Sequence, residues 1–464
     1  MQTATAPFAE AAFTPFAGQR IAVVGLGRAG LPAARRLRGW GAEILCWDDQ
    51  PASRVAAEAA GLPVGDPCAV PGFPFDALLL SPGIPHILPK PHPAALRARE
   101  AGVPVLCDAE LLFRAAHAAG SRARFVGITG TNGKSTTTAL AHHLLHSAGR
   151  ASEVGGNLGP AALGLPLLGD DGIYVLEMSS YMLERTERLH FSVAVVLNLS
   201  PDHLDRHGDM AGYAAAKAHI FANQTAADVA VIGMDDASGA RFTEGLAARV
   251  VPISGSAPQP GGVWAEGRLL RDAQGVIADL DESPALPGSH NAQNAAAAAA
   301  IGLALGLARG EIAARLRSFP GLPHRQERVG ARAGVTFVND SKATNADSTA
   351  RALASYDRVV WIGGGVPKAG GIDSLAPLFR HIAHAVLIGR CAGDFAATLS
   401  AHDVPNEVAV TLDAAVPAAL AAARRLGVPV VLLSPACASF DQFTGFDARG
   451  DAFRALVAEL PETV

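Results

Sequence analysis

Lysine is almost missing from this chain of 464 residues: of its 38 basic residues five are lysine and the rest arginine. Lys90 lies in the proline-rich run Leu88-Pro89-Lys90-Pro91 and reads as a bystander. Lys134, Lys217, Lys342 and Lys368 remain in a sequence that otherwise prefers the guanidinium, so each is a candidate for work that arginine cannot do. A lysine is a compact point charge for a phosphate or carboxylate, and it can shed its proton and act as an amine. Cysteine is scarce too. Cys46, Cys68, Cys107, Cys391 and Cys437 are odd in number, far apart and form no C-x-x-C pair. That excludes a disulfide framework or structural zinc and points to reduced thiols in the cytoplasm. The longest apolar run, 295–308, is too short and too rich in Ala and Gly to span a bilayer. The first basic residue is Arg20, so no positively charged secretory leader is expected. A formal net charge of −5 gives no electrostatic reason to expect a nucleic-acid or membrane partner. Small anions must then be held by local devices.

What is present is an ordinary globular composition, 49% apolar and 17% charged, over a length that suits about three domains. Strand-like runs alternate with helical ones. The first series is 21–25, 43–47, 77–80 and 103–106; the second is 125–129, 174–176, 193–197 and 229–232, then a hairpin-like stretch at 263–280 and an alanine-rich helix at 292–307. The run Phe319-Pro320-Gly321-Leu322-Pro323 reads as a linker. A third series follows at 335–339, 358–362, 385–388, 407–410 and 430–433, each trailed by a helical segment. The expectation is an α/β protein of three consecutive domains, 1–107, 108–320 and 321–464: Rossmann-like, P-loop-type with a parallel sheet, and Rossmann-like.

Gly25-Leu26-Gly27-Arg28-Ala29-Gly30 follows a strand and opens a helix, with Asp48 at the end of the next strand. Taken alone, this fingerprint suits NAD; more narrowly it predicts a bound diphosphate, which the glycines let approach a helix N-terminus. Gly130-Thr131-Asn132-Gly133-Lys134-Ser135-Thr136 also stands between a strand and a helix. Its amides suit phosphate oxygens, its lysine the terminal phosphates and its hydroxyl Mg²⁺. It is a variant loop, with Ile128 where the strict pattern has glycine. Glu177 closes a strand where nucleotide enzymes often place a metal-binding acid. His203 and His207 are four apart, a zinc spacing with no cysteine nearby. Lys217, by composition, is a surface lysine on a helix. In the last third, 322–325, 339–345, 363–368 and 434–441 are dense in anion-binding groups at strand ends, where ligands of parallel sheets gather.

In order along about residues 20–460, Gly130 to Thr136, Leu176-Glu177-Met178-Ser179-Ser180, Asp202-His203-Leu204-Asp205, 322–325, 339–345 and 434–442 resemble the Mur ligases. The resemblance implies a UDP-binding Rossmann-like domain, a central ATPase and a C-terminal domain that receives an amino acid. It also implies the chemistry of the member that adds D-glutamate to UDP-N-acetylmuramoyl-L-alanine: ATP phosphorylates the carboxylate, and the amine attacks the acyl phosphate. By motif, Thr131, Asn132, Gly133, Lys134, Ser135 and Thr136 hold the ATP phosphates. Asn291, Asn294, His324, Arg325 and Asp340 complete the nucleotide site. Glu177, His203, Ser135 and Lys217, the last as a carbamate, are implied to hold Mg²⁺, two ions in all. Lys342, Thr344, Lys368, Ser439, Phe440 and Phe446 are implied for D-glutamate, and Gly25, Gly27, Gly30, Asp48, Ser81, Gly83 and Asn157 for the UDP-sugar. A monomer is expected.

Overall fold

The computed structural model describes residues 13–367 and 370–462, so Lys368 lies outside the described residues. Three sheets carry the chain. The first contains β1 (Arg20–Val24), β2 (Glu43–Trp47), β3 (Ala77–Leu80) and β4 (Val105–Leu106), all parallel, in the order β2-β1-β3-β4. The second contains β5 (Arg124–Thr129), β6 (Ser152–Gly156), β7 (Ile173–Glu177), β8 (Val193–Val196), β9 (Val229–Gly233), β10 (Arg249–Ser254), β11 (Val263–Glu266), β12 (Leu269–Asp272) and β13 (Gly275–Asp279). Its order is β13-β12-β11-β10-β9-β8-β5-β7-β6, parallel except for the antiparallel β11-β12-β13 meander. The hairpin expected at 263–280 is therefore three strands rather than two.

The third sheet, β14 (Glu327–Arg332), β15 (Val335–Asn339), β16 (Val359–Gly364), β17 (Ile382–Ile388), β18 (Asn406–Val410) and β19 (Val430–Leu433), runs β14-β15-β19-β16-β17-β18. Only its edge strand β14 is antiparallel. Helices on the faces of a parallel sheet bury its strands from both sides, so β3, β8, β9, β16 and β17 are buried at every position, and all but β17, which carries His384, read as continuous apolar runs.

The chain divides into two compact units. One holds the described residues through Leu280 with Ala292–Arg317; the other holds Asp281–Asn291 with the described residues from Ser318 onward. In the first unit one apolar core joins residues of the first sheet, such as Ile21 and Leu79, to residues of the second, such as Leu176 and Ile232. In the second unit two cores flank the third sheet, one around Phe337 and Phe453, the other around Trp361 and Phe395. The expected linker at 319–323 contains neither helix nor extended strand. None of the helices among the described residues is long and apolar enough to cross a membrane.

Candidate active site

In the second sheet β5 lies between β7 and β8, so strand order reverses there and the loop after β5 stands at a switch point, where parallel sheets collect ligands. That loop is Gly130–Gly133 and it feeds the helix Lys134–Ser147. Gly133 has φ +83°, and a Cβ there would overlap Asn294 Oδ1, so no side chain fits. The loop is pinned from below. Asn132 N–H donates to Asn198 Oδ1 (2.9 Å), Asn198 Nδ2 to the Asn132 carbonyl (3.1 Å), and Ser200 N–H to Thr131 Oγ1 (3.0 Å). Lys134 Nζ donates to the carbonyls of Gly130 (2.9 Å) and Thr131 (2.8 Å). Ser135 is buried in the first helical turn, and Asn294 Oδ1 accepts from Thr137 Oγ1 (3.2 Å). Loop amides and the start of a helix thus converge where phosphate is expected to bind.

Lys217, on the helix Met210–Ala218, is not at the surface: it is 1% exposed. Its Nζ donates to the Gly130 carbonyl (2.9 Å) and to Thr129 Oγ1 (3.4 Å) and lies 4.5 Å from the centre of the Tyr213 ring. Burial, reinforced by Lys134, holds its pKa well below the usual lysine value, with Asp202 and Glu177 opposing. Glu177, at the end of β7, is 2% exposed. Asn157 Nδ2 donates to its Oε1 (2.7 Å), while its buried Oε2 has no hydrogen-bond partner among the described residues. His203 sits in the left-handed region (φ 54°), with Nε2 3.4 Å from Asp202 Oδ2. Burial lowers its pKa, Lys217 and Lys134 push the same way, and Asp202 opposes.

A buried carboxylate oxygen without a partner costs free energy unless something binds it, and an oxygen-seeking cation suits it. Among the described residues no three His, Cys, Asp or Glu side chains converge as a metal cage. The observation that suits Mg²⁺ is thus the unpartnered oxygen of Glu177 alone. The zinc spacing has another use: His207 spends Nδ1 on Glu184 Oε1 (2.9 Å) and Nε2 on Ser180 Oγ (2.9 Å).

Also in the first unit, a cavity of about 460 Å³ opens at the Gly25–Gly30 turn, lined by Gly25, Gly27, Arg28, Asp48, Ser81 and Asn157 among others. Asp48 accepts from Leu26 N–H (2.6 Å) and Gln50 N–H (2.8 Å), and Ser81 Oγ donates to the Gly25 carbonyl (2.7 Å). A Cβ on Gly30 would overlap that same carbonyl, so the turn closes tightly onto the helix Gly30–Gly39. Gly83 is outside the lining, its carbonyl taken by Arg206 Nη1 (3.2 Å).

In the second unit, His324 (φ 61°) accepts at Nδ1 from Asn339 Nδ2 (3.0 Å), and its ring lies 6.2 Å from that of Phe446. Lys342 N–H donates to the His324 carbonyl (3.0 Å), and Lys342 Nζ sits 3.9 Å from the centre of the Phe446 ring. Thr344 N–H donates to the Lys342 carbonyl (2.8 Å). Asp340 is buried, accepting from Ser434 Oγ (2.8 Å) and Gln326 N–H (3.2 Å); burial pushes its pKa up to about 7, opposed in part by these bonds and Arg325. Ser439 is buried, while Phe440 is 71% exposed. Asn291 Nδ2 donates to the Pro287 carbonyl (2.7 Å).

Two residues that support the phosphate loop escape a reading of the sequence. Asn198 directly follows the run 193–197, and its place at a strand end was the available signal. Tyr213 stands four residues before Lys217 on one helical face, its hydroxyl 3.3 Å from Thr131 Oγ1.

Residues 128–302 match the Mur ligase middle domain. A protein of Caulobacter vibrioides named UDP-N-acetylmuramoylalanine–D-glutamate ligase is 51% identical over 453 residues, covering 95% of this chain and 96% of its own length. The chain belongs to the Mur ligase family. A Phenylobacterium zucineum protein of the same name is 49% identical over 458 residues, covering 96% and 97%. In fold, this Mur ligase is similar to the solved UDP-N-acetylmuramate-alanine ligase MurC of Thermotoga maritima, with a TM-score of 0.60 at 17% identity over 95% of this chain and 99% of that one. It is also similar to MurF of Acinetobacter baumannii, with a TM-score of 0.56 at 20% identity over 77% and 81%. Identities that low speak to the fold alone.

Proposed function

We propose that this Mur ligase joins D-glutamate to UDP-N-acetylmuramoyl-L-alanine at the expense of ATP, in the cytoplasm, as a step in peptidoglycan precursor synthesis. The observation that carries this reading is the link between its two anion sites. Asn157 lines the diphosphate cavity and also donates to Glu177, the acid beside the phosphate loop. A phosphorylated nucleotide sugar and a second nucleotide are thereby brought to one place, as a phosphoryl transfer between them requires.

In the reaction, the substrate carboxylate attacks the γ-phosphorus of ATP and ADP leaves. The amine of D-glutamate then attacks the carbonyl carbon of the acyl phosphate, phosphate departs with the bonding pair, and the amine gives up a proton. Lys134 and the amides of 131–136 hold the ATP phosphates, with Asn294 behind the loop. Glu177, His203, Ser135 and carbamylated Lys217 would hold Mg²⁺, which when bound neutralises charge on the phosphates. Asn291, His324, Arg325 and Asp340 belong to the nucleotide, and Lys342, Thr344, Lys368, Ser439, Phe440 and Phe446 to D-glutamate. The turn at Gly25, Gly27 and Gly30, with Asp48, Ser81, Gly83 and Asn157, belongs to the UDP-sugar. Domains at 1–107, 108–320 and 321–464 and a monomeric state complete the reading.

The test is phosphate release by the purified protein. Release should require ATP, Mg²⁺, UDP-N-acetylmuramoyl-L-alanine and D-glutamate together, and L-glutamate should not replace the D-isomer. Equal rates with L-glutamate would reassign the amino acid, and release with ATP alone would remove the ligase reading.

A further inference from the structure

We propose that Arg28 is the side chain that binds the diphosphate in the cavity of the first sheet, an assignment that rests on reading that cavity as the UDP-sugar site. Charge is the first reason. The ionisable side chains lining the cavity are Arg28, Asp48, Asp49 and Asp108. Asp108 is buried and accepts from Ala162 N–H (2.7 Å); burial raises its pKa, opposed by its bonds from backbone N–H groups. Two further carboxylates remain, and a diphosphate brings about two more negative charges. Turn amides and the start of a helix contribute roughly half a positive charge. Arg28 is the one cation among the described residues lining this space.

Geometry is the second reason. Arg28 stands inside the turn, between Gly27 and Ala29, so its side chain starts where the turn amides lie. Its Nη2 donates to the Asn157 carbonyl (2.8 Å), and Asn157 is itself fixed by bonds from its N–H to the Glu177 carbonyl (2.9 Å) and from Nδ2 to Glu177 Oε1 (2.7 Å). The guanidinium is thus anchored at one corner to the end of the second sheet. Its remaining donors make no hydrogen bond to the described residues. A planar fork with free donors matches phosphate oxygens, and anchoring it beforehand reduces the entropy lost on binding.

The test uses the full chain without Mg²⁺. UDP binding is measured by calorimetry and uridine binding by displacement of UDP, for the wild type, Arg28→Ala and Arg28→Lys. Arg28→Ala is expected to weaken UDP about tenfold, the loss of one charge-assisted contact at an exposed site, while leaving uridine unchanged. Arg28→Lys should fall between, since it keeps the charge and loses the fork. Added salt should weaken UDP more steeply for the wild type than for Arg28→Ala. Unchanged UDP affinity in Arg28→Ala overturns the proposal, and so does a parallel loss of uridine, which would mark a role in shaping the turn. A wild type that binds neither ligand removes the UDP-sugar reading of the cavity, and the role of Arg28 with it.

Discussion

Asn157 and Glu177 are joined twice, through the Asn157 N–H to the Glu177 carbonyl (2.9 Å) and through Asn157 Nδ2 to Glu177 Oε1 (2.7 Å). The side-chain bond turns the carboxylate so that one oxygen is spent and the other is left for a cation. Asn157→Asp keeps the shape and replaces the donor with a second carboxylate. Two carboxyls at that distance cannot both stay ionised, so one takes up a proton. We expect phosphate release to fall about ten- to a hundredfold with a raised Mg²⁺ requirement, as for other groups that orient metal ligands. Initial rates titrated with Mg²⁺ check this, and wild-type rates in the variant would mean that Glu177 binds no metal.

Gly133→Ala combines two costs that can be separated. A left-handed residue other than glycine costs roughly 1–2 kcal/mol, and the new Cβ also overlaps Asn294 Oδ1. The substitution should lower the melting midpoint. Adding Asn294→Ala in that background should recover the overlap but not the backbone strain, so the double variant should melt between the two extremes. Calorimetry of the double-mutant cycle reads this directly; a double variant no better than Gly133→Ala would show that the overlap is relieved by movement.

The strands that read most plainly from a sequence are those buried on both faces. The runs at 77–80, 193–197 and 430–433 are continuous apolar stretches and became β3, β8 and β19. β6 ends in two glycines, β10 is interrupted by Pro252, and β14 is an edge strand with half-exposed residues, so none of these reads as an unbroken apolar run. The phosphate loop is legible because its chemistry is local in sequence. The burial of Lys217 is not, because its surroundings come from Thr129, Gly130 and Tyr213, and its own helix is mostly alanine, which gives no amphipathic signal. Arg28 was hidden in a motif read for its glycines.

Asp340 gives a pH dependence of stability in the second unit. Its carboxyl has a pKa of about 7 in the fold against 3.8 as the ordinary value. Between those values the folded state holds a proton that the unfolded state has released, so stability falls as pH rises through that window and levels off above it. Asp340→Asn keeps an acceptor for Gln326 N–H and offers a donor to Ser434 Oγ, without the charge. It should abolish that slope and melt higher than the wild type above pH 7, while losing activity as a nucleotide-site variant. Melting curves from pH 4 to pH 8 decide the matter, and a wild-type profile no steeper than that of Asp340→Asn would show that this carboxyl is ionised throughout.

Lys217 carries the most consequential prediction. An ordinary lysine, with a pKa of ~10.4, is neutral in about one molecule in a few thousand at pH 7, and only the neutral amine reacts with CO₂. Burial and the neighbouring Lys134 lower the pKa of Lys217 well below that, which shifts the balance toward the reactive form. The ammonium first gives up one proton; when the neutral amine nitrogen then bonds to the carbon of CO₂ and releases a second proton, the side chain has changed from a cation to an anion. The carbamate nitrogen keeps one N–H, so the bond to the Gly130 carbonyl can persist while two new oxygens are added. Lys217→Arg retains the positive charge and cannot make this change, because a guanidinium stays protonated. It should lose activity about a hundredfold or more, the scale for a lost metal ligand. Lys217→Ala should be as inactive, and added acetate should restore part of its rate by filling the vacated space with a carboxylate. Carbon-13 bicarbonate should give the wild type, and neither variant, a carbamate resonance. A Lys217→Arg protein that kept most of its phosphate release would exclude the carbamate as a ligand beside Glu177, His203 and Ser135.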